Sequence, residues 1–415
     1  MFMNTTPRSN RLHIAFFGQT NAGKSSLINA MTGQDIALVS KVKGTTTDPV
    51  YKAMEILPIG PVVLIDTAGI NDESTLGVLR QKKTMDVLEK TDVALIVFDI
   101  NQPLHASDIE LLHAIKQRNI ACIGILNKVD AINNASTLLQ EKCTDYSQKF
   151  DIPFITASAQ SSQGIDSIKD LIIKHSPQEI HSHKLVGDLI NPGDFVVLVT
   201  PIDSAAPKGR IILPQQQTVR DILDHGAIAI VTKETELATT LAQLGTKPAL
   251  VITDSQAFEQ VSKETPDDVL LTSFSILFAR HKGDLNALIQ GAAAINRLED
   301  GDKVLIAEGC THHRQADDIG TVKIPRWLTQ STGKKLQFEH TAGVGFKDNL
   351  SGYKLVIHCG GCMLNSKAMN YRIHSSQEEG VPIVNYGVLI AQVHGILDRA
   401  LEPFTQAKMI WDESK

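Results

Sequence analysis

Between residues 12 and 175, short apolar runs alternate with amphipathic stretches. LHIAFFG (12–18), VVLIDTAG (62–69), DVALIVFD (92–99) and ACIGILNKVD (121–130) all run into Gly, Asp or Asn. Buried parallel strands have this form where they lead into ligand-binding loops. Helices are predicted between them, at Ser25–Thr32 and Asp108–Arg118. The pattern is a doubly wound α/β domain over residues 1–176, followed by a polar linker at Ser176–Leu185 with Pro177, His181 and His183.

The alternation continues. Asp194–Thr200, Ala227–Thr232 and Ala249–Thr253 read as strands, with helices near Val219–His225 and Thr235–Leu244. This gives a second α/β domain over residues 186–265, and the ETPDD run at Glu264–Asp268 marks its end. The third stretch, 266–415, opens with helix through Leu298 and continues with strand-like KVLIAEG (303–309) and KLVIHCG (354–360). A strand near Val381–Asn385 and a final helix across Val388–Leu401 complete it. The middle domain holds no ligand motif and reads as a dimerisation module or a spacer.

Composition narrows the class. A chain of 415 residues is too long for one compact core. Hydrophobic residues at 42% and charged residues at 21% exclude a mainly disordered chain. Forty Lys and Arg against 46 Asp and Glu give a net charge of -6, the opposite of a general nucleic-acid binder. No apolar run approaches the roughly 18 residues that span a bilayer. The opening MFMNTTPRSNR lacks the apolar centre of a secretory signal. The expectation is a cytoplasmic chain with no membrane or nucleic-acid partner. Five cysteines cannot build a disulfide framework; Cys122 and Cys143 stand alone, whereas Cys310, Cys359 and Cys362 share the last third with histidines.

GQTNAGKS at Gly18–Ser25 matches the phosphate-loop pattern G-x-x-x-x-G-K-[ST], placed between a predicted strand and a predicted helix. Gly18 and Gly23 let backbone N–H groups wrap phosphates at a helix N-terminus, where Ser26 follows. Lys24 would neutralise the β- and γ-phosphates and Ser25 would bind Mg²⁺. DTAG sets Asp66 near the metal and the Gly69 N–H near the γ-phosphate. In NKVD, Asn127 and Lys128 precede Asp130, whose carboxylate can accept from guanine N1–H and its 2-amino group, which selects GTP over ATP. TASAQ aims the Ser158–Ala159 backbone at the guanine 6-oxo group. KGTTTD at Lys43–Asp48 offers a threonine for Mg²⁺, taken as Thr46, with Thr45 and Thr47 as alternatives. Lys24, Thr46, Asp66 and Gly69 form the catalytic set.

These five motifs in order resemble the translation-factor-related GTPases, in particular the bacterial branch that includes Era and MnmE. The resemblance implies that Asn21, fourth in the phosphate loop, helps hold a K⁺ ion standing in for an arginine finger. Ile70 stands where Ras-like enzymes carry a water-orienting Gln, so slow basal hydrolysis is expected.

CTH at Cys310–His312 and HCGGC at His358–Cys362 form a second constellation, each after a predicted strand. If those strands are parallel neighbours, their ends bring three thiols and two imidazoles into one crevice. The intervening glycines allow a tight turn, and a helix from about Leu364 would lower thiol pKa through its dipole. Structural zinc and an iron–sulfur cluster both suit such donors. His281, His313, His340, His374 and His394 read as surface or core residues.

Joined to a GTPase of this branch, C-x-H followed far downstream by H-C-x-x-C resembles the HydF family of FeFe-hydrogenase maturation GTPases, over essentially the whole chain. That resemblance implies a homodimer and a 4Fe–4S cluster on Cys310, Cys359 and Cys362, with His312 and His358 as possible ligands of the exchangeable fourth position. It also implies a scaffold that receives a transient di-iron precursor from two radical-SAM maturases and passes it to apo FeFe-hydrogenase.

Overall fold

The computed structural model describes residues 7–33, 48–69, 83–132, 136–177, 185–202, 211–309, 317–343, 346–347 and 349–415. The chain forms two compact units, Met1–Ile180 and His181–Lys415.

The first unit is built on a six-stranded sheet in the order β2-β3-β1-β4-β5-β6. Its strands are β1 (Leu12–Gly18), β2 (Val50–Ile56), β3 (Gly60–Asp66), β4 (Val93–Asp99), β5 (Ala121–Asn127) and β6 (Phe154–Thr156). All neighbours are parallel except β2, which lies antiparallel along β3. Helices cover both faces, which is why β1 is buried along its whole length and apolar except at His13. Ile14 and Phe16 enter one core while Ala15 and Phe17 enter the other. Each fully buried side chain of this size stabilises the fold by about 1.5–3 kcal/mol. Edge strand β2 was not anticipated, because VYKAMEI mixes Lys52 and Glu55 among its apolar residues.

The second unit holds two four-stranded, all-parallel sheets. One orders β7 (Phe195–Val199), β8 (Ile228–Thr232), β9 (Leu250–Thr253) and β10 (Leu270–Ser273) as β10-β9-β7-β8. The other orders β11 (Lys303–Glu308), β12 (Gln337–Ala342), β13 (Leu355–His358) and β14 (Ile383–Asn385) as β12-β11-β13-β14. A single hydrophobic core runs through both. The division expected at residue 265 therefore falls too early, since β10 pairs in register with β9. In VLLTSFSILF the strand passes directly into the helix Phe274–Lys282 with no loop between them, and a mainly apolar stretch does not mark where one becomes the other.

The final helix is also corrected. Helix Tyr386–Val393 stops before Gly395, which takes φ 70°, and short helices Leu397–Ala400 and Thr405–Glu413 follow. No described helix is long and apolar enough to cross a membrane.

Candidate functional site

The phosphate loop joins β1 to the helix Lys24–Thr32. Asn21 (φ 65°) and Gly23 (φ 96°) both take left-handed backbone, so the loop curls back on itself. At Gly23 a Cβ would lie 2.1 Å from Asn127 Nδ2, so only glycine lets β5 approach this closely. Lys24 is buried, and its ammonium donates to the Gly18 and Gln19 carbonyls at 2.9 and 2.8 Å. Burial pulls its pKa down to about 8, opposed by Asp66 and Asp108.

Asp66, at the end of β3, accepts from the Ser25 hydroxyl through Oδ2, while its Oδ1 is buried without a hydrogen-bond partner. Burial raises its pKa. A half-buried carboxylate beside a hydroxyl is an oxygen donor set suited to a hard divalent cation, which would relieve that desolvation cost. Gly69 packs so closely on Thr20 that a Cβ would sit 2.3 Å from its Oγ1, bringing the DTAG backbone onto the phosphate loop.

The base-recognition residues also converge. Asn127 donates from Nδ2 to the Ala22 carbonyl at 2.8 Å and accepts the Ala159 N–H at Oδ1, linking three motifs through one amide. Lys128, with φ 67°, pairs with Asp99 at 2.7 Å. Asp130 is exposed and is held from one side by the buried Ser158 hydroxyl. Gln19 was missed from sequence: its amide donates to Asp108 Oδ1 at 2.6 Å, tying the loop to the start of the helix Ala106–Gln117. The expected residues Thr45, Thr46, Thr47 and Ile70 lie outside the described residues.

The thiol site forms where β11 and β13 run side by side, parallel and in register from Val304↔Leu355 to Ala307↔His358. This meets the condition that the two motifs share one sheet edge. Gly309, directly after β11, donates its N–H to Cys359 Sγ at 3.1 Å, and the Cys359 N–H returns to the Ala307 carbonyl at 2.9 Å. Cys310 is the next residue in the chain; it and His312 lie outside the described residues. Cys362 is exposed on the same turn, which Gly361 makes possible with φ 61°. Among the described residues no three His, Cys, Asp or Glu groups converge on one point.

Two expectations are corrected here. His358 is fully buried; its Nδ1 lies 2.7 Å from the Cys359 carbonyl and its Nε2 lies 2.7 Å from Arg372 Nη1. A carbonyl can only accept and a guanidinium can only donate, so Nδ1 carries the proton and the Nε2 lone pair is engaged. No nitrogen remains for a metal. Burial, then the Arg372 charge, lowers its pKa to about 3. His358 is a peg that holds the Cys359 carbonyl. The Cys359 thiol is not lowered as expected either: the helix starts at Ser366, and burial raises the thiol's pKa against the pull of the Gly309 and Gly361 N–H groups.

Three further groups crowd the crevice. Arg372, almost fully buried, also donates to the Gly343 carbonyl at 3.0 Å. Tyr386 donates to the buried Glu308 at 3.2 Å; burial raises its pKa, with Glu308 and Cys359 adding to the effect, so the phenol keeps its proton. Lys282 lies behind the cysteine turn, pulled down to about 8 by burial and upward by Cys362 and Cys359. In sequence all three read as ordinary helix or strand-end residues, and nothing local marks them. Buried cations and N–H···S contacts around a thiol pair suit an anionic thiolate-bound centre.

Three family models match successive segments of the chain. A family model of 50S ribosome-binding GTPases matches residues 13–128. The hydrogen maturase F dimerization model matches 185–283, and the hydrogen maturase F tetramerization model matches 286–403. Among curated relatives, GTPase Der of Sulfurimonas denitrificans is 31% identical over 185 residues, covering 43% of this chain and 37% of its own length. The tRNA modification GTPase MnmE of Helicobacter pylori is 41% identical over 134 residues, covering 31% of this chain and 29% of its own. The chain thus spans 37% and 29% of the lengths of these two relatives. An Era crystal structure from Aquifex aeolicus with GDP.AlF4- aligns at 19% identity and a TM-score of 0.37, covering 61% of this chain and 99% of that one.

Proposed function

Because this chain belongs to the hydrogen maturase F family and begins with a GTPase domain, we propose that it is a GTP-hydrolysing scaffold for hydrogenase metallocluster assembly. The observation that carries the scaffold reading is the Gly309 N–H···Sγ contact to Cys359. Gly309 is the residue that precedes Cys310 in the chain, so the first cysteine motif starts at a residue in contact with the second. Three thiolates and no fourth protein thiolate would hold a 4Fe–4S cluster with one exchangeable corner. Such a corner is where a di-iron precursor could be bridged and later released to apo-hydrogenase. The radical-SAM maturases are the proposed suppliers.

In the nucleotide site Lys24 and the loop amides bind phosphates, and Ser25 and Asp66 hold Mg²⁺ with a threonine, proposed as Thr46. Asp130 reads guanine. Asn21, already in left-handed backbone, is the proposed K⁺ contact. A homodimer is proposed through β8, an edge strand that leaves Ile228 and Val231 43% and 47% exposed. Two unpaired edges of this kind can join across a twofold axis.

The test is iron, sulfide and zinc analysis of anaerobically purified protein, with electron paramagnetic resonance after reduction. Wild type should hold about four irons and four sulfides per chain with a cubane signal, as the proposed cluster type requires. Cys359→Ser should lose most of that iron and keep GTP affinity. Stoichiometric zinc without sulfide would overturn the scaffold reading and leave a GTPase with a closed structural site.

A further inference from the structure

Lys282 ends the helix Phe274–Lys282, which continues directly from β10 of the first sheet of its unit. Helix-terminal lysines ordinarily reach water, yet this one is 3% exposed. Its Nζ lies 3.4 Å from the Gly361 carbonyl, 3.2 Å from that of Cys362 and 3.1 Å from that of Leu364. The Phe278 ring on its own helix lies 5.8 Å away. Three carbonyl acceptors match the three N–H donors of an ammonium, whereas a neutral amine has only two. All three carbonyls belong to the turn that carries Cys362 and follows Cys359. The other ties of that segment are Leu364 N–H to the Gly361 carbonyl, Cys359 N–H to Ala307, the Gly309 and Gly361 N–H groups on the Cys359 sulfur, and His358 on the Cys359 carbonyl; none of them holds the Cys362 or Leu364 carbonyl.

We propose that Lys282 is the positioning residue of the two-cysteine turn: its ammonium clamps three carbonyls of the turn and sets a fixed positive charge behind the sulfurs. The clamp crosses a family boundary. Lys282 closes the region matched by the dimerization model, and the turn it holds lies in the region matched by the tetramerization model. The charge half of the proposal rests on the cluster reading above; the clamp half does not.

The experiment compares full-length wild type with Lys282→Met and Lys282→Gln. In metal-free protein, amide hydrogen exchange is followed at Gly309 and Leu364, with the β11 and β13 amides as the measure of global folding. Loss of the clamp should speed exchange at the two turn amides roughly ten-fold, the worth of a hydrogen bond from a charged donor, while the strand amides stay protected. Should Lys282→Met lose strand protection, Lys282→Gln, which keeps amide donors, is read by the same criterion. After anaerobic reconstitution, the folded variant should show a more negative reduction potential, because removing a nearby cation disfavours the added electron. Wild-type exchange rates at Gly309 and Leu364 in a folded variant would overturn the clamp. A variant with faster turn exchange but an unshifted potential would overturn the charge role. If wild type itself takes up no iron and sulfide, the cluster reading falls, and the exchange measurement still decides the clamp.

Discussion

The nucleotide site and the thiol site both sit at the C-terminal ends of parallel strands, yet they are made differently. In the first, eight consecutive residues, Gly18–Ser25, carry most of the chemistry, and β3 and β5 deliver Asp66 and Asn127 to a loop already shaped by its own backbone. In the second, no single segment is sufficient. Gly309 and Cys359 meet only because β11 and β13 are paired in one register, and the surrounding charges come from helices elsewhere in the chain. A site held locally should survive damage to distant packing, whereas one assembled by register should not.

The largest expected effect tests whether the two sites are independent. Lys24→Ala removes a buried ammonium that would contact phosphates, and GTP affinity should fall by about 3 kcal/mol, roughly a hundred-fold or more. Iron content of the same variant should match wild type, measured on the same preparation by calorimetry and metal analysis. A parallel loss of iron would mean that the sites are not separable. A smaller change sharpens the local half of the contrast. Asp130→Asn should cut the preference for GTP over ATP by about 1.5–3 kcal/mol, because one charge-assisted acceptor is lost while Ser158 keeps the loop in place. Competition binding with both nucleotides reads this, and unchanged selectivity would reject Asp130 as the base reader.

The smallest effect, taken over one pH unit, concerns β1, which feeds the phosphate loop. His13 is buried, its Nδ1 lies 2.8 Å from the Arg11 carbonyl, and burial lowers its pKa to about 4. The unfolded chain takes up a proton near pH 6.5, but the folded chain does not until about pH 4. The unfolded state therefore binds more protons in that window. Stability present above pH 6.5 should fall by at most about 1.4 kcal/mol per pH unit as pH drops toward 4. Thermal unfolding of the nucleotide-free protein across this range, with His13→Gln for comparison, should show a shallower acid loss in the variant.

Much of the fold was legible because it depends on local pattern. Apolar runs covered on both faces announced β1, β4, β5, β7, β9 and β11. Strands were missed where that signal fails: QFEHTA is a half-exposed edge with polar alternation, and LLTS merges into an apolar helix. The phosphate-loop, DTAG and NKVD assignments followed from residue chemistry at fixed spacing. His358 misled for a physical reason. A histidine beside a Cys-x-x-Cys turn carries the same letters whether its nitrogens face a metal or a buried guanidinium. Lys282 and Arg372 gave no signal at all, since a charged helix residue normally reads as solvated surface.

By itself, then, the sequence determined which reactive groups exist and which short segments carry them, because a contiguous motif shapes its own backbone. The tertiary structure alone decided which of those groups meet. Strand order and register brought Gly309 to Cys359, occupied His358 with Arg372 and drove Lys282 beneath the cysteine turn. Contacts between segments this far apart depend on how sheets are ordered and aligned, and the pattern of polar and apolar residues along a chain constrains that only weakly.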